Sequence, residues 1–257
     1  MLLAIDVGNT NAVFAIHDGK KTIGEWRCST DYRRTADEYF VWLQHLMAHQ
    51  GIEAKINAVI ISSTVPRVVF NLRVLADRYF DCRPMVVGKP EIDIGIPVRV
   101  DPQTSVGPDR LVNTVAGYDL YGGNLIIVDF GTATTFDVVG HDGAYEGGVI
   151  APGINLSLRA MHEVAASLPH IDVSKPDKVI GTNTVACMQS GIYWGYIGLI
   201  EGICKRIADE KGQDMKIVGT GGLSTLFAQD SDILKNINTE LTIHGLVLIA
   251  ERNRKDK

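Results

Sequence analysis

No two of the four cysteines, Cys28, Cys82, Cys187 and Cys204, form a C-x-x-C pair, so the chain signals neither a zinc site nor a disulfide framework. The seven histidines are equally scattered, and His162-Glu163 lacks the second histidine of a metalloprotease helix. Long hydrophobic runs are missing too. Ala58 to Ile61 and Leu125 to Val128 fall far short of the roughly 20 residues a membrane span requires. Asp6 breaks the N-terminal apolar run before it could serve as a signal-peptide core, so a cytoplasmic location is expected. Nor is there a basic excess. With 25 Lys and Arg against 30 Asp and Glu, the net charge of −5 argues against nucleic acid as a main partner. The chain has no G-x-x-x-x-G-K-S/T, no complete G-x-G-x-x-G and no H-R-D loop, which removes P-loop enzymes, typical dinucleotide enzymes and protein kinases.

What the sequence does contain is one device written twice. Leu2-Leu-Ala-Ile-Asp-Val-Gly-Asn-Thr-Asn11 and Leu125-Ile-Ile-Val-Asp-Phe-Gly-Thr-Ala-Thr-Thr135 are each a short apolar run ending in Asp, then one apolar residue, Gly, and a cluster of hydroxyl or amide side chains. Each re-enters an apolar run, Ala12 to Ile16 or Phe136 to Val139, and closes on a matching turn, His17-Asp18-Gly19 or His141-Asp142-Gly143. Two strands around a Gly-containing turn can bring backbone N–H groups and hydroxyls to phosphate oxygens, while the Asp at the strand end can hold a cation or a water. In 257 residues, this repeat favours two halves of about 100 to 150 residues over one large domain.

Periodicity organises the rest. Thr35-Ala-Asp-Glu38 predicts a capping box opening a helix to about Ala48, with Tyr39, Phe40, Leu43, Leu46 and Met47 on its apolar face. Asn57 to Ser63 reads as a strand, Pro66 to about Phe80 as a helix, and Met85 to Val87 as a strand, which suggests a mostly parallel sheet with the opening hairpin attached. Gly88 to Pro108, with four prolines, reads as a loop or lid, followed by a helix to about Leu120. The second half repeats the plan: the hairpin at 125 to 139, a strand near Tyr145 to Ile150, a helix from about Leu156 to Ala166, a long helix from Thr184 to about Glu210, a strand from Met215 to Val218, and a last helix from Leu241 to Glu251. On the long helix, Gly191, Gly195, Gly198 and Gly202 share one face. Each costs about 1 kcal/mol relative to Ala, so close packing is expected against a helix of the same chain or of a second subunit.

Five places could carry chemistry: Asp6 to Asn11, Gly107 to Arg110, Asp129 to Thr135, Gly147-Gly148 with Pro152-Gly153, and Gly219 to Gly222. Taken singly, each reads as a structural turn. Together they are more specific, because three follow predicted strands, where open α/β sheets bind ligands.

The repeated Asp-x-Gly hairpin with a later Gly-Thr-Gly-Gly resembles the acetate kinase, sugar kinase, Hsp70 and actin superfamily. The fuller set Asp6-Val-Gly-Asn-Thr-Asn11, Gly107-Pro-Asp-Arg110, Asp129-Phe-Gly-Thr-Ala-Thr134 and Gly147-Gly-Val-Ile-Ala-Pro-Gly153, with Gly181-Thr-Asn-Thr184 and Met188-Gln-Ser-Gly191, is similar to the type III pantothenate kinases. The resemblance implies an α/β fold of two ribonuclease-H-like halves, residues 1–120 and 121–257, each with a mixed sheet and flanking helices, and an ATP cleft between them. It implies phosphorylation of pantothenate at its primary hydroxyl by ATP, the first step of coenzyme A synthesis, by a homodimer that uses Mg²⁺ and a monovalent cation, K⁺ or NH₄⁺. By motif match, Asp6, Val7, Gly8, Asn9, Thr10, Asn11, Ala12 and Val13 would line the ATP phosphates, Thr132 would touch ATP, and Asp129 would hold the monovalent cation. Asp109 would be the general base, and Gly107, Pro108, Arg110 and Thr184 would join it in binding pantothenate. Phosphoryl transfer asks a protein mainly to align a hydroxyl with the γ-phosphate and to offset negative charge, which suits Asp109 and Arg110. One position departs: many family members carry a substrate-contacting Tyr seven residues before Gly107, where this chain has Val100. Val100 leaves room for a kinase of another small hydroxy acid. A nucleotide-responsive regulator on the same fold is a further alternative, although Asp6, Asp109, Arg110 and Asp129 are all present.

Overall fold

The computed structural model describes residues 1–53, 55–164 and 168–254. They form two compact units, each built on a five-stranded mixed sheet.

The first unit opens with β1 (Leu2–Val7), β2 (Asn11–His17) and β3 (Thr22–Ser29), continues through α1 (Ala36–His49), β4 (Ala58–Ser63), α2 (Pro66–Phe80) and β5 (Met85–Val86), and includes α3 (Pro108–Tyr121). Its strand order is β3-β2-β1-β4-β5: β1, β2 and β3 pair antiparallel, while β4 and β5 run parallel to β1. Strand β1 is apolar on both faces because both are covered. Leu3, Ile5 and Val7 enter a core with Leu43 of α1 and Leu72 of α2, whereas Leu2 and Ala4 enter a second cluster with Val112 of α3.

The capping box forms as expected. The Thr35 hydroxyl accepts from the Glu38 N–H, and the Thr35 N–H donates to Glu38 Oε2 at 2.7 Å. Pro66 occupies the first turn of α2, which stops at Asp81 in the left-handed region, φ +49°. Strand β3 is an addition to the sequence reading. Gly24, Glu25 and Arg27 hide its alternation, and Gly24 is required because a Cβ there would lie 2.5 Å from the Trp26 ring.

The second unit holds β6 (Leu125–Phe130), β7 (Ala133–Val139), β8 (Tyr145–Pro152), α4 (Ile154–Val164), α5 (Thr184–Lys211), β9 (Lys216–Thr220), α6 (Ser224–Ala228) and β10 (Asn236–Ile237). Ala165 and Ala166, the expected end of α4, lie outside the described residues. The order β8-β7-β6-β9-β10 repeats that of the first unit, with β8 in the place of β3, so the duplication extends from the hairpin to the whole sheet. Phe130, Phe136, Tyr193, Tyr196, Ile200 and Phe227 fill its core.

The last helix, α7 (Leu241–Asn253), belongs to the first unit. Its Ile243, Leu246 and Ile249 join the cluster of Leu2, Ala4 and Val112, and Gly245 packs against the Val112 carbonyl so tightly that a Cβ would overlap it. The described residues of 1–97, 101–120 and 240–254 form one compact unit, and those of 98–100 and 121–239 the other. Among the described residues, no helix is long and apolar enough to cross a membrane.

Replacing Thr35 by Ala removes one half of the capping box. It should cost about 1 kcal/mol, read as a lower urea midpoint at unchanged slope. An unchanged midpoint would show that the box adds nothing to the first unit.

Candidate active site

In the first unit, the chain leaves β1 through Asp6 and turns over residues 8–11. The turn is closed by the Gly8 N–H donating to Asn11 O at 3.0 Å. Thr30, just beyond β3, holds it from outside: its N–H donates to Thr10 O at 2.9 Å and its hydroxyl to Gly8 O at 2.7 Å. Asn9, Thr10 and Asn11 stay exposed, while the Val7 and Ala12 side chains are buried and leave only backbone to a ligand.

Asp6 keeps a narrow opening to solvent but is closely surrounded by protein. Burial pushes its carboxyl up to about 7, the neighbouring Ser62 hydroxyl opposes that rise, and the Asp109 carboxylate adds to it. Asp109 comes from the first turn of α3. Its Oδ1 accepts the Arg110 N–H at 2.9 Å, and Gly107 lies close beside it, where a Cβ would come within 2.5 Å of the same oxygen and push the carboxylate from this position. Burial raises the Asp109 carboxyl as well, against the Arg110 N–H and guanidinium, which pull it down. The first unit thus gathers Asp6, Asp109 and Arg110, a carboxylate pair beside one fixed cation.

The second unit builds a tighter version of the turn. Val7 pairs with Ala12 across residues 8–11, whereas Phe130 pairs with Thr134 across residues 131–133, one residue fewer. Asp129 ends β6 as Asp6 ends β1. Gly221, at φ +87°, lies against it: a Cβ would sit 2.6 Å from Asp129 Oδ1 and 2.8 Å from the Phe130 carbonyl. Gly153 lies as closely against the Thr132 carbonyl, so any Cβ would overlap it. The glycine-rich segment at 220–222 thus meets Asp129, and the one at 152–153 meets the turn at 131–133 that follows it. Among the described residues there is no group of three or more His, Cys, Asp and Glu able to hold a metal by themselves. Beside Gly221 stand the Asp129 carboxylate, the Phe130 carbonyl and the Phe130 N–H, and the two oxygens are of the kind a hard cation takes.

Thr184 is exposed in the first turn of α5, after the N-cap Asn183, whose Oδ1 accepts the Ala186 N–H at 2.9 Å. Val100 belongs to the short segment 98–100 that adds to the second unit. Val98 bridges Tyr145, the Arg99 N–H donates to Tyr145 O at 2.8 Å, and the Arg99 guanidinium pairs with Asp142 and Glu146. Lys211 closes this network on Glu146 at 2.6 Å. Two partners escaped the sequence reading. Ser62 could have been found, since it ends an apolar run as Asp6 does and faces it in register. Tyr196 could not, because nothing in its neighbourhood sets it apart from the core aromatics of α5.

A family model described as type III pantothenate kinase matches residues 2–206. A type III pantothenate kinase of Ruegeria sp. (strain TM1040) is 65% identical over 254 residues, covering 99% of this chain and 98% of that one. Among solved structures, a candidate 2-dehydro-3-deoxygalactonokinase from Sinorhizobium meliloti is similar in fold, with a TM-score of 0.62 at 14% identity over 100% of this chain and 98% of that one. A ROK family glucokinase from Streptomyces griseus, in complex with glucose and AMPPNP, has a TM-score of 0.52 at 9% identity, covering 98% and 99%. At these identities the likeness is one of fold.

The raised Asp6 carboxyl has a consequence for stability. Between the ordinary 3.8 and about 7, the folded chain holds a proton that the unfolded chain has released, so stability falls as pH rises through that window. Asp6→Asn removes the ionisation. It should raise the melting temperature of the ligand-free protein by a few degrees at pH 8, at roughly 2–4 °C per kcal/mol, and by much less at pH 5. An equal effect at both pH values would mean that Asp6 is ionised throughout.

Proposed function

Because the chain belongs to the type III pantothenate kinase family, we infer that it transfers the γ-phosphoryl group of ATP to the primary hydroxyl of pantothenate, the first step of coenzyme A biosynthesis. The observation that carries this is near-complete coverage at high identity: 65% over 99% of the chain. We propose that Asp109 is the general base. It accepts the hydroxyl proton as the oxygen attacks, while Arg110, Gly107, Pro108 and Thr184 hold the acceptor. In the first unit, Asp6, Val7, Gly8, Asn9, Thr10, Asn11, Ala12 and Val13 line the ATP phosphates through the exposed polar turn and the backbone. In the second, Thr132 touches ATP and Asp129 holds a monovalent cation, K⁺ or NH₄⁺. That ion would offset phosphate charge, as would the Mg²⁺ that accompanies ATP, for which the exposed oxygens of the first turn leave room. Raised by burial, Asp109 is also closer in basicity to its task than an ordinary aspartate.

The enzyme is proposed to act in the cytoplasm as a homodimer. Among the described residues, nothing lies within 4 Å of the place a Cβ would occupy at Gly191, Gly195 and Gly198, which supports a second copy of the chain as the packing partner of this face of α5. Gly195→Glu should then give a monomer by light scattering behind a sizing column. A dimer that survives it would place the contact elsewhere. Val100 keeps a second reading open, a kinase of a related hydroxy acid, which a substrate panel separates.

The direct test is ADP release with Mg-ATP, with and without pantothenate, in K⁺ and then Na⁺ buffer. Release that depends on pantothenate and on K⁺ is expected, and release indifferent to pantothenate overturns the acceptor. In the same assay Asp109→Asn should lower kcat by about 10² to 10⁴ with Mg-ATP binding kept. Loss below about tenfold removes Asp109 from the role of base. The acidic limb of wild-type kcat/KM should lie above the ordinary carboxylate range, activity rising as pH rises through it, because only ionised Asp109 can take the proton.

A further inference from the structure

Helix α5 carries two tyrosines, one turn apart, whose rings meet Phe227 in the same way, each with centroids 5.5 Å away at 34°. Their hydroxyls end in different places. Tyr193 donates to Asp230 Oδ2 at 2.6 Å, on the far side of α6. Tyr196 donates to the Pro152 carbonyl at 2.7 Å and lies 2.6 Å from Thr134 Oγ1, so that with its own proton committed it takes the threonine's. Thr134 is 1% exposed and Tyr196 6% exposed, which puts both hydroxyls out of reach of bulk water. A buried polar pair of this kind is strong because its alternative is an unmet donor or acceptor.

Both ends of this relay lie on the β7–β8 side of one turn, where Ala133 pairs with Pro152. Thr134 is the residue of β7 that pairs with Phe130 across residues 131–133, and it pairs with Ala151 on β8. Pro152 is the last residue of β8, and the next one, Gly153, is the glycine whose backbone presses on the Thr132 carbonyl. A shift at Pro152 is passed directly to Thr132, since no side chain at 153 can cushion it. We propose that Tyr196 is a positioning residue for nucleotide binding. By fixing Pro152 and Thr134 together from α5, it sets where the turn at 131–133 presents Thr132. It touches no ligand itself. The inference rests on the proposed contact between Thr132 and ATP.

Tyr196→Phe keeps the ring and deletes the relay. Tyr193→Phe serves as its control, removing a part-buried hydroxyl bond from the same helix without touching the turn. Calorimetric titration of each full-length protein with Mg-AMPPNP, alongside thermal melting, separates the outcomes. Tyr196→Phe should bind the nucleotide about tenfold more weakly, and the KM for Mg-ATP should rise by a similar factor. Tyr193→Phe should bind within twofold of wild type although its melting temperature falls as well. Equal weakening in both variants would reduce Tyr196 to a general stabiliser, and unchanged binding in Tyr196→Phe would overturn the inference outright. Failure of wild type itself to bind Mg-AMPPNP would instead remove the ATP reading on which it stands.

Discussion

A carboxylate at the exit of a strand that is buried on both faces governs this molecule. β1 and β6 run through the middle of their sheets, between neighbours on each side, and have no polar residue until Asp6 and Asp129. The acid cannot be accommodated earlier, because an ionised side chain among Leu3, Ile5, Ile126 and Val128 would have no partner to offset its desolvation. It appears where the strand ends, and the turn that follows must be glycine-bearing and polar. Everything that surrounds the acids answers to this. Ser62 faces Asp6, Gly221 clears space beside Asp129, and Gly107 clears space beside Asp109.

The two copies differ in build within the same plan. The first turn is longer and leaves two amides and a hydroxyl exposed, and its acid stands near a second acid and an arginine. The second is shorter, is pressed by glycine backbones on two sides, and is braced by a buried hydroxyl relay.

Much of this was legible in the residues. The hairpins, the capping box at Thr35, the start of α2 at Pro66 and the alternation of strand and helix all rest on local chemistry, and local chemistry is what a sequence displays. The carboxylates and glycines of the site were visible for the same reason. Strand β3 was not, because Glu25 and Arg27 point outward and Gly24 makes way for Trp26, which leaves little apolar pattern. The two-residue β10 was too short to show a period at all. The destination of α7 and the role of Tyr196 depend on contacts between residues far apart in the chain. No spacing rule reports that Ile243 meets Leu2, or that a tyrosine among core aromatics reaches the Pro152 carbonyl.

The return of α7 to the first unit also bears on how the chain is made. On a ribosome the residues of the second sheet have all emerged before the α7 residues that complete the cover of Leu2 and Ala4. The first unit is therefore the one completed last. Until Ile243, Leu246 and Ile249 arrive, one face of its central strands is covered only in part, by residues such as Val87 and Val112, so the nascent protein passes through a stage in which that sheet needs shielding.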